Sequence, residues 1–258
     1  MTTTIDIAAH NAQAWDLQVK KNSPWTVPVC HEEVEAARAG LFSILLTAKE
    51  PVPRDWFPKD LSGVRILCLA SGGGQQGPIL SAAGADVTVL DNSLAQLAQD
   101  RLVAQREKLP LKTVRGDMRD LSCFAAGAFD LVFCPVSVTY IPEVQPVFDG
   151  VFRVLRPGGS FLLGATNPFV YLFNGADWDQ NRFTVSNQLP FCSLDEMTPE
   201  EVSQALREKQ TIQYSHTLES LIGGQTAAGF SITGFYEDVD DDLICRYSAK
   251  YFATRAVK

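Results

Sequence analysis

The chain has 258 residues, 46% of them hydrophobic and 20% charged, with a formal net charge of −8. This balance excludes a disordered tail, a collagen-like fibre and a heptad rod, and no apolar run approaches the roughly 20 residues that cross a bilayer. No Lys/Arg cluster offsets the acidic charge, so no nucleic-acid partner is expected. The opening Met1–Asp6 has neither a basic flank nor an apolar core, and no secretory signal is expected. The six cysteines, Cys30, Cys68, Cys123, Cys134, Cys192 and Cys245, have no CxxC or metal-ligand spacing. They read as reduced, mostly buried thiols of a cytoplasmic protein that handles small molecules without a metal or a membrane.

In chain order, residues 1–59 are irregular around Trp15, Pro24, Trp25 and Pro28 and then become helical. Val34, Ala37, Leu41, Ile44 and Leu45 repeat at helical spacing and predict a helix over His31–Leu46, ended by Pro51, Pro53 and Pro58. This stretch is expected to be an N-terminal helical lid or extension to a domain covering residues 60–258. Val64–Leu69, Asp86–Leu90, Leu111–Arg115, Phe129–Cys134 and Ser160–Ala165 are short apolar runs without polar alternation, which predicts buried strands. Between them, Ser93-Leu94-Ala95-Gln96 has capping-box spacing ahead of a face of Leu94, Leu97, Ala98 and Leu102. Val144, Val147, Phe148, Val151, Phe152 and Leu155 form an apolar stripe that stops at Pro157-Gly158-Gly159. Such alternation predicts an α/β, doubly wound, mostly parallel sheet with helices on both faces.

Residues 167–214 break the rhythm. They hold Asn167-Pro168, the aromatics Phe169, Tyr171, Phe173, Trp178 and Phe183, and a second capping box at Thr198-Pro199-Glu200-Glu201. They predict an insertion beside the carboxyl edge of the sheet. A helix near Thr217–Ala228, a strand over Phe230–Tyr236 and a last strand over Tyr247–Ala256 complete the pattern.

The sharpest feature is Ile66-Leu67-Cys68-Leu69-Ala70-Ser71-Gly72-Gly73-Gly74-Gln75-Gln76-Gly77, a strand running into glycines that let a backbone approach a ligand closely. Gly72, Gly74 and Gly77 satisfy G-x-G-x-x-G, and Asp91 follows about 20 residues on, where a ribose diol is held. The fingerprint by itself leaves two ligands open, a nicotinamide dinucleotide or another nucleoside.

Further motifs follow: Gly116-Asp117-Met118 closes the third strand, Phe129-Asp130-Leu131-Val132-Phe133 forms the fourth, and Arg153-Val154-Leu155-Arg156-Pro157-Gly158-Gly159 precedes the fifth. In this order and spacing the set resembles the class I S-adenosylmethionine-dependent methyltransferases, and the Val-Leu-Arg-Pro-Gly-Gly turn resembles their small-molecule branch. The resemblance covers residues 64–166 and extends to the end of the chain through Ala227-Ala228-Gly229-Phe230. It implies a Rossmann-like sheet of seven strands with the last antiparallel, S-adenosylmethionine as cofactor and S-adenosylhomocysteine as product. It also implies a cofactor site of Ala70, Ser71, Gly72, Gly73, Gly74, Gln75, Asp91, Asn92, Gln96, Gly116, Asp117, Met118, Pro135, Val136 and Ser137. In that reading amides from Ser71 to Gln75 meet the methionine carboxylate, Asp91 the ribose, and Asp117 with Met118 the adenine. The chain departs from the family where the first strand commonly ends in an acid two residues before a glycine; Cys68 and Ala70 stand there.

Methyl transfer is a displacement on a carbon activated by positive sulfur, so alignment matters most and a general base is optional. His31, His216 and Tyr140 are base candidates, with His31 preferred; Trp15, Trp25, Tyr140 and Asn167 are expected on the lid or acceptor side. The acceptor is expected to be small and partly aromatic or apolar, with its reacting atom and the oligomeric state left open. A nicotinamide-dependent oxidoreductase and a non-catalytic cofactor-binding module are the alternatives.

Overall fold

The computed structural model describes residues 5–173, 180, 182–195 and 197–258. Trp178, counted above among the insertion's aromatics, lies outside the described residues. Seven strands form one sheet in the order β3-β2-β1-β4-β5-β7-β6. They are β1 (Arg65–Leu69), β2 (Asp86–Asp91), β3 (Lys112–Arg115), β4 (Phe129–Cys134), β5 (Leu155–Thr166), β6 (Ser231–Asp238) and β7 (Tyr251–Val257). The first five pair in parallel, and β7 runs antiparallel to both β5 and β6. The order reverses direction between β1 and β4, and ligands of doubly wound sheets lie in the crevice at such a switch point.

Alternation along each strand divides the core. Leu67, Leu69, Val132, Cys134, Phe161 and Leu163 pack on one face with Val147, Phe148 and Val151 of α5 (Gln145–Val154). Ile66, Cys68, Val87, Val89, Leu131 and Phe133 pack on the other with Ile79 and Leu80 of α3 (Gln76–Ala82) and Leu97 of α4 (Leu94–Glu107). Successive side chains point to opposite faces, so a strand covered on both sides needs an unbroken apolar run.

Some elements differ from expectation. Residues 7–20 form a helix, α1 (Ile7–Lys20), capped by Asp6, whose side chain accepts from the Ala9 amide at 3.0 Å. Half of its apolar positions are alanine, which hides the periodicity. The helix expected over His31–Leu46 is only α2 (His31–Arg38). Gly40, at φ +80°, ends it in a Schellman turn, with the Leu41 amide bonded to the Ala36 carbonyl and the Gly40 amide to that of Ala37. On α4 the Ser93 cap holds, accepting from the Gln96 amide, but the buried face is Gln96, Leu97, Asp100, Val103 and Glu107. Leu94 and Leu102 are exposed. The Pro157-Gly158-Gly159 turn falls inside β5, where the pairing to β4 shifts register. The insertion contains α6 (Pro199–Arg207), with both halves of its capping box formed. The helix expected near Thr217–Ala228 is a π-turn, Glu219–Gly223, followed by a short α7 (Gly224–Ala227). Among the described residues no helix is long and apolar enough to cross a membrane.

The segment after α2 lies on the sheet. Ala37, Ile44, Leu46, Val52, Trp56 and Phe57 join the same core as β1, and the Val136 amide donates to the Leu46 carbonyl at 3.2 Å. Gly164 on β5 makes this possible, because a Cβ there would sit 2.0 Å from the Leu46 carbonyl oxygen. Gly164→Ala is therefore expected to destabilise the protein by about 2–3 kcal/mol through overpacking, read as a lower urea midpoint.

Candidate cofactor and acceptor site

The loop leaving β1 sits at the switch point. Ala70 takes a left-handed φ of +47° and bonds its amide to the Leu90 carbonyl at 2.7 Å, which turns the chain off the sheet. Gly73 and Gly74 follow at φ +117° and +74°. Their amides do not face outward. Gly72 donates to Asp91 Oδ2 at 3.0 Å, Gly73 to Asp100 Oδ2 at 3.1 Å, and Gly74 to Asp100 Oδ1 at 3.2 Å. Successive amides in such a loop form a concavity that binds anions. Here two side-chain carboxylates of the same chain fill it.

This arrangement separates the two ligand readings. A dinucleotide pyrophosphate needs those amides and would meet Asp91 and Asp100 instead, whereas a nucleoside carrying a positive sulfur is compatible with nearby carboxylates. Burial raises Asp91 to about 6, opposed by bonds from Ser93 and Gly72 amides; burial, then the neighbouring Asp91 charge, pushes Asp100 well above the ordinary carboxylate range. Cys68, where the acid of the family motif is missing, is fully buried in the core and its thiol is pushed up by desolvation. Asp100 of α4 supplies a carboxylate beneath the loop.

One continuous cavity of about 1690 Å³ opens beside this loop. Ala70, Ser71, Gly72, Gln75, Asp91, Asn92, Gln96, Asp117, Met118, Pro135, Val136 and Ser137 line it, as do Trp15, Trp25 and Tyr140. Ser71 Oγ and Gln96 Oε1 are buried without a hydrogen-bond partner, so two polar groups on the wall stay unanswered by protein. A Cβ on Gly72 would sit 2.7 Å from Gln96 Cβ and 3.0 Å from Asp91 Oδ2, which keeps this position bare. Unanswered polar atoms, a carboxylate at the β2 end and the apolar Met118 fit an adenine nucleoside.

Comparison with known proteins agrees. Residues 67–163 match the family described as methyltransferase domain. The "Uncharacterized methyltransferase YbaJ" of Bacillus subtilis is 42% identical over 252 residues, 98% of either chain. This chain belongs to the class I S-adenosylmethionine-dependent methyltransferases. The same fold occurs in an S-adenosylmethionine-dependent methyltransferase from Mesorhizobium loti, with a TM-score of 0.61, 22% identity, and coverage of 80% of this chain and 95% of that one. It also occurs in the Burkholderia thailandensis 1,6-didemethyltoxoflavin-N1-methyltransferase, solved with 1,6-didemethyltoxoflavin and S-adenosylhomocysteine. That match has a TM-score of 0.58 and 14% identity, covering 97% of this chain and 88% of that one.

Several expected site residues of the methyltransferase lie elsewhere or act differently. Gly73, Gly74 and Gly116 are not part of the cavity wall, and the Gly116 amide bonds to the Asp91 carbonyl at 3.1 Å. Gln75 spends its side-chain amide on the carbonyls of Pro24 and Val27. Asp117 is held by Arg119, whose Nε donates to Oδ2 at 3.0 Å, so it does not face the cavity alone. Asn167 is absent from the wall; it caps the turn at Phe169 and donates to the Ala249 carbonyl at 3.3 Å. His216 is buried, bonds the Val138 carbonyl at 2.9 Å and has its pKa lowered by desolvation. His31 lies off the cavity on the outer face, its side chain 63% exposed, with Nδ1 2.9 Å from Glu107 Oε2. Neither histidine reaches the site. Tyr140 does, edge-on to Trp15 with ring centroids 5.3 Å apart, but burial pushes its phenol far up and holds it protonated. Its ring forms part of the cavity wall.

Two further residues escaped sequence reasoning. Asn11 of α1 donates to the Tyr140 and Ile212 carbonyls at 3.0 and 2.9 Å and accepts from the Ile212 amide at 2.8 Å. It pins α1 and the insertion to the end of β4. Asp100 carried a signal, an acid at the core-facing spacing Leu97, Asp100, Val103.

Glu107 raises the His31 pKa in the folded protein, so the native state holds this proton more tightly than the unfolded chain. The pair's contribution is full below the ordinary histidine range and is lost as pH rises through the raised value. The melting-temperature gap between wild type and His31→Ala is expected to be larger near about pH 5.5 than near about pH 9, with S-adenosylhomocysteine affinity unchanged.

Proposed function

We propose that this methyltransferase delivers the methyl group to a small, partly aromatic acceptor that carries no negative charge, bound beside the cofactor. The observation that carries the reading is the cavity, whose 1690 Å³ exceeds the ~300–1,000 Å³ of a pocket for one ligand. Beyond the glycine loop its wall includes Phe42, Tyr140, Tyr171, Phe173, Phe191 and Tyr251. The cations on that wall are already paired: Lys250 with Asp240 and Asp242, and Arg119 with Asp117. An anionic acceptor would meet no unpaired cation on these residues. The Burkholderia enzyme, which shares the fold, holds 1,6-didemethyltoxoflavin together with S-adenosylhomocysteine, which is in keeping with this.

S-adenosylmethionine supplies an electrophilic methyl group on a positive sulfur. This chain's residues bind, orient and exclude water. We assign Asp91 and Asn92 to the ribose hydroxyls, Asp117 and Met118 to adenine, Ser71 and Gln96 to the methionine end, and Pro135, Val136 and Ser137 to the sulfur end. Trp15 and Trp25 cover the cavity from the N-terminal segment. On the acceptor side, Thr139 Oγ1 donates to the Tyr214 carbonyl at 3.1 Å, so in its bond with Tyr171 the phenol is the donor. Tyr171 then offers an oxygen lone pair to an O–H or N–H of the acceptor.

Extracts incubated with the protein and isotopically labelled cofactor are expected to yield label in small molecules by mass spectrometry. Label confined to protein or nucleic acid overturns the reading. The carboxylate form of Asp91 accepts from both ribose hydroxyls, and its pKa is about 6. S-adenosylhomocysteine affinity is therefore expected to climb from about pH 5 to about pH 7 and then level off. Asp91→Asn should flatten that profile and weaken calorimetric binding by about tenfold or more.

A further inference from the structure

The connection between α1 and α2 runs past the glycine loop, anchored on α4 at both ends. Asp16 Oδ1 accepts from Ser93 Oγ at 2.6 Å and from the Ala95 amide at 3.0 Å. At the other end Arg106 Nη2 donates to the Val29 carbonyl at 2.6 Å. In between, Gln75 Nε2 donates to the carbonyls of Pro24 and Val27, both at 2.9 Å, using both hydrogens of the amide. The Val29 amide donates to the Gly74 carbonyl at 2.9 Å.

The glycines fit this strap closely. A Cβ on Gly73 would lie 2.9 Å from the Trp25 carbonyl oxygen, and one on Gly74 3.0 Å from Pro28 Cβ. Neither glycine lines the cavity, whereas Pro24, Trp25, Val27 and Pro28 line it together with Ser71, Gly72 and Gln96. The Gly73-Gly74 pair thus admits the strap, and the strap walls the nucleoside compartment. Trp25 and Val27 are 54% and 49% exposed, so little apolar burial holds the strap down.

We propose that Gln75 is a positioning residue for the cofactor: its side-chain amide latches the 24–27 strap onto the glycine loop, and release of S-adenosylhomocysteine requires that latch to open. The proposal rests on the cofactor assignment above. It gives Gln75 a role through the strap in place of direct contact with the methionine end.

The test is stopped-flow displacement of bound S-adenosylhomocysteine, read by tryptophan emission, from wild type, Gln75→Met and Gln75→Glu. Methionine keeps the length and removes both donors; glutamate keeps the shape and sets a carboxylate against two carbonyls. Dissociation is expected about tenfold faster for Gln75→Met, the effect of losing two ordinary hydrogen bonds, and faster still for Gln75→Glu. Gly73→Ala, which pushes the strap from the loop side, should accelerate release in the same way. The melting temperature of the cofactor-free protein should fall by no more than about 4 °C in Gln75→Met, since the same two bonds are lost there. An unchanged dissociation rate in either folded Gln75 variant, or a lower melting temperature without faster release, overturns the latch while cofactor binding stands. Failure of the wild type to bind S-adenosylhomocysteine overturns the cofactor assignment and the latch with it.

Discussion

Three consecutive glycine amides held by two buried carboxylates organise this site. Asp91, from the end of β2, takes the Gly72 amide, and Asp100, from the inner face of α4, takes those of Gly73 and Gly74. An ionised group in this environment is costly unless hydrogen-bonded, and the amides supply the compensation. The result is a loop with its donors turned inward. Donors so occupied disfavour a pyrophosphate, although the glycine spacing alone is common to both kinds of site.

The N-terminal residues and the insertion complete what the sheet begins. Residues 44–57 bury apolar side chains against β1 and β4, so this segment shares a core with the sheet it covers. Asn11 connects α1 to both the turn after β4 and the insertion, two parts of the cavity rim. Tyr171 and Thr139 meet where those parts converge. Lys250 on this wall is paired with Asp240 and Asp242, and Tyr140, Tyr171, Phe173 and Phe191 line the cavity among polar side chains such as Asn187 and Gln213.

Five strands were legible because burial on both faces leaves an apolar run that periodicity detects, and Phe129–Cys134 has the bounds expected of it. The second capping box was legible because its two hydrogen bonds are local. The long helix expected over His31–Leu46 failed because apolar residues at helical spacing continue past Gly40, while the backbone at Gly40 turns left-handed. The inner face of α4 was misread because it carries Gln96, Asp100 and Glu107, polar residues that tertiary partners satisfy. His31 and Asn167 were placed at the site from their position in the chain, and position does not fix where a side chain points.

By itself the sequence determined the sheet, the glycine loop after β1, the acid at the end of β2 and hence the class of nucleoside fold, since all of these are set by local pattern and short spacing. The tertiary structure decided which way the loop amides point, that Asp100 takes the amides of Gly73 and Gly74 from beneath the loop, and that Gln75 reaches the strap. Those outcomes depend on contacts between residues tens of positions apart, and such contacts exist only once burial has brought α4 and the N-terminal segment against the loop.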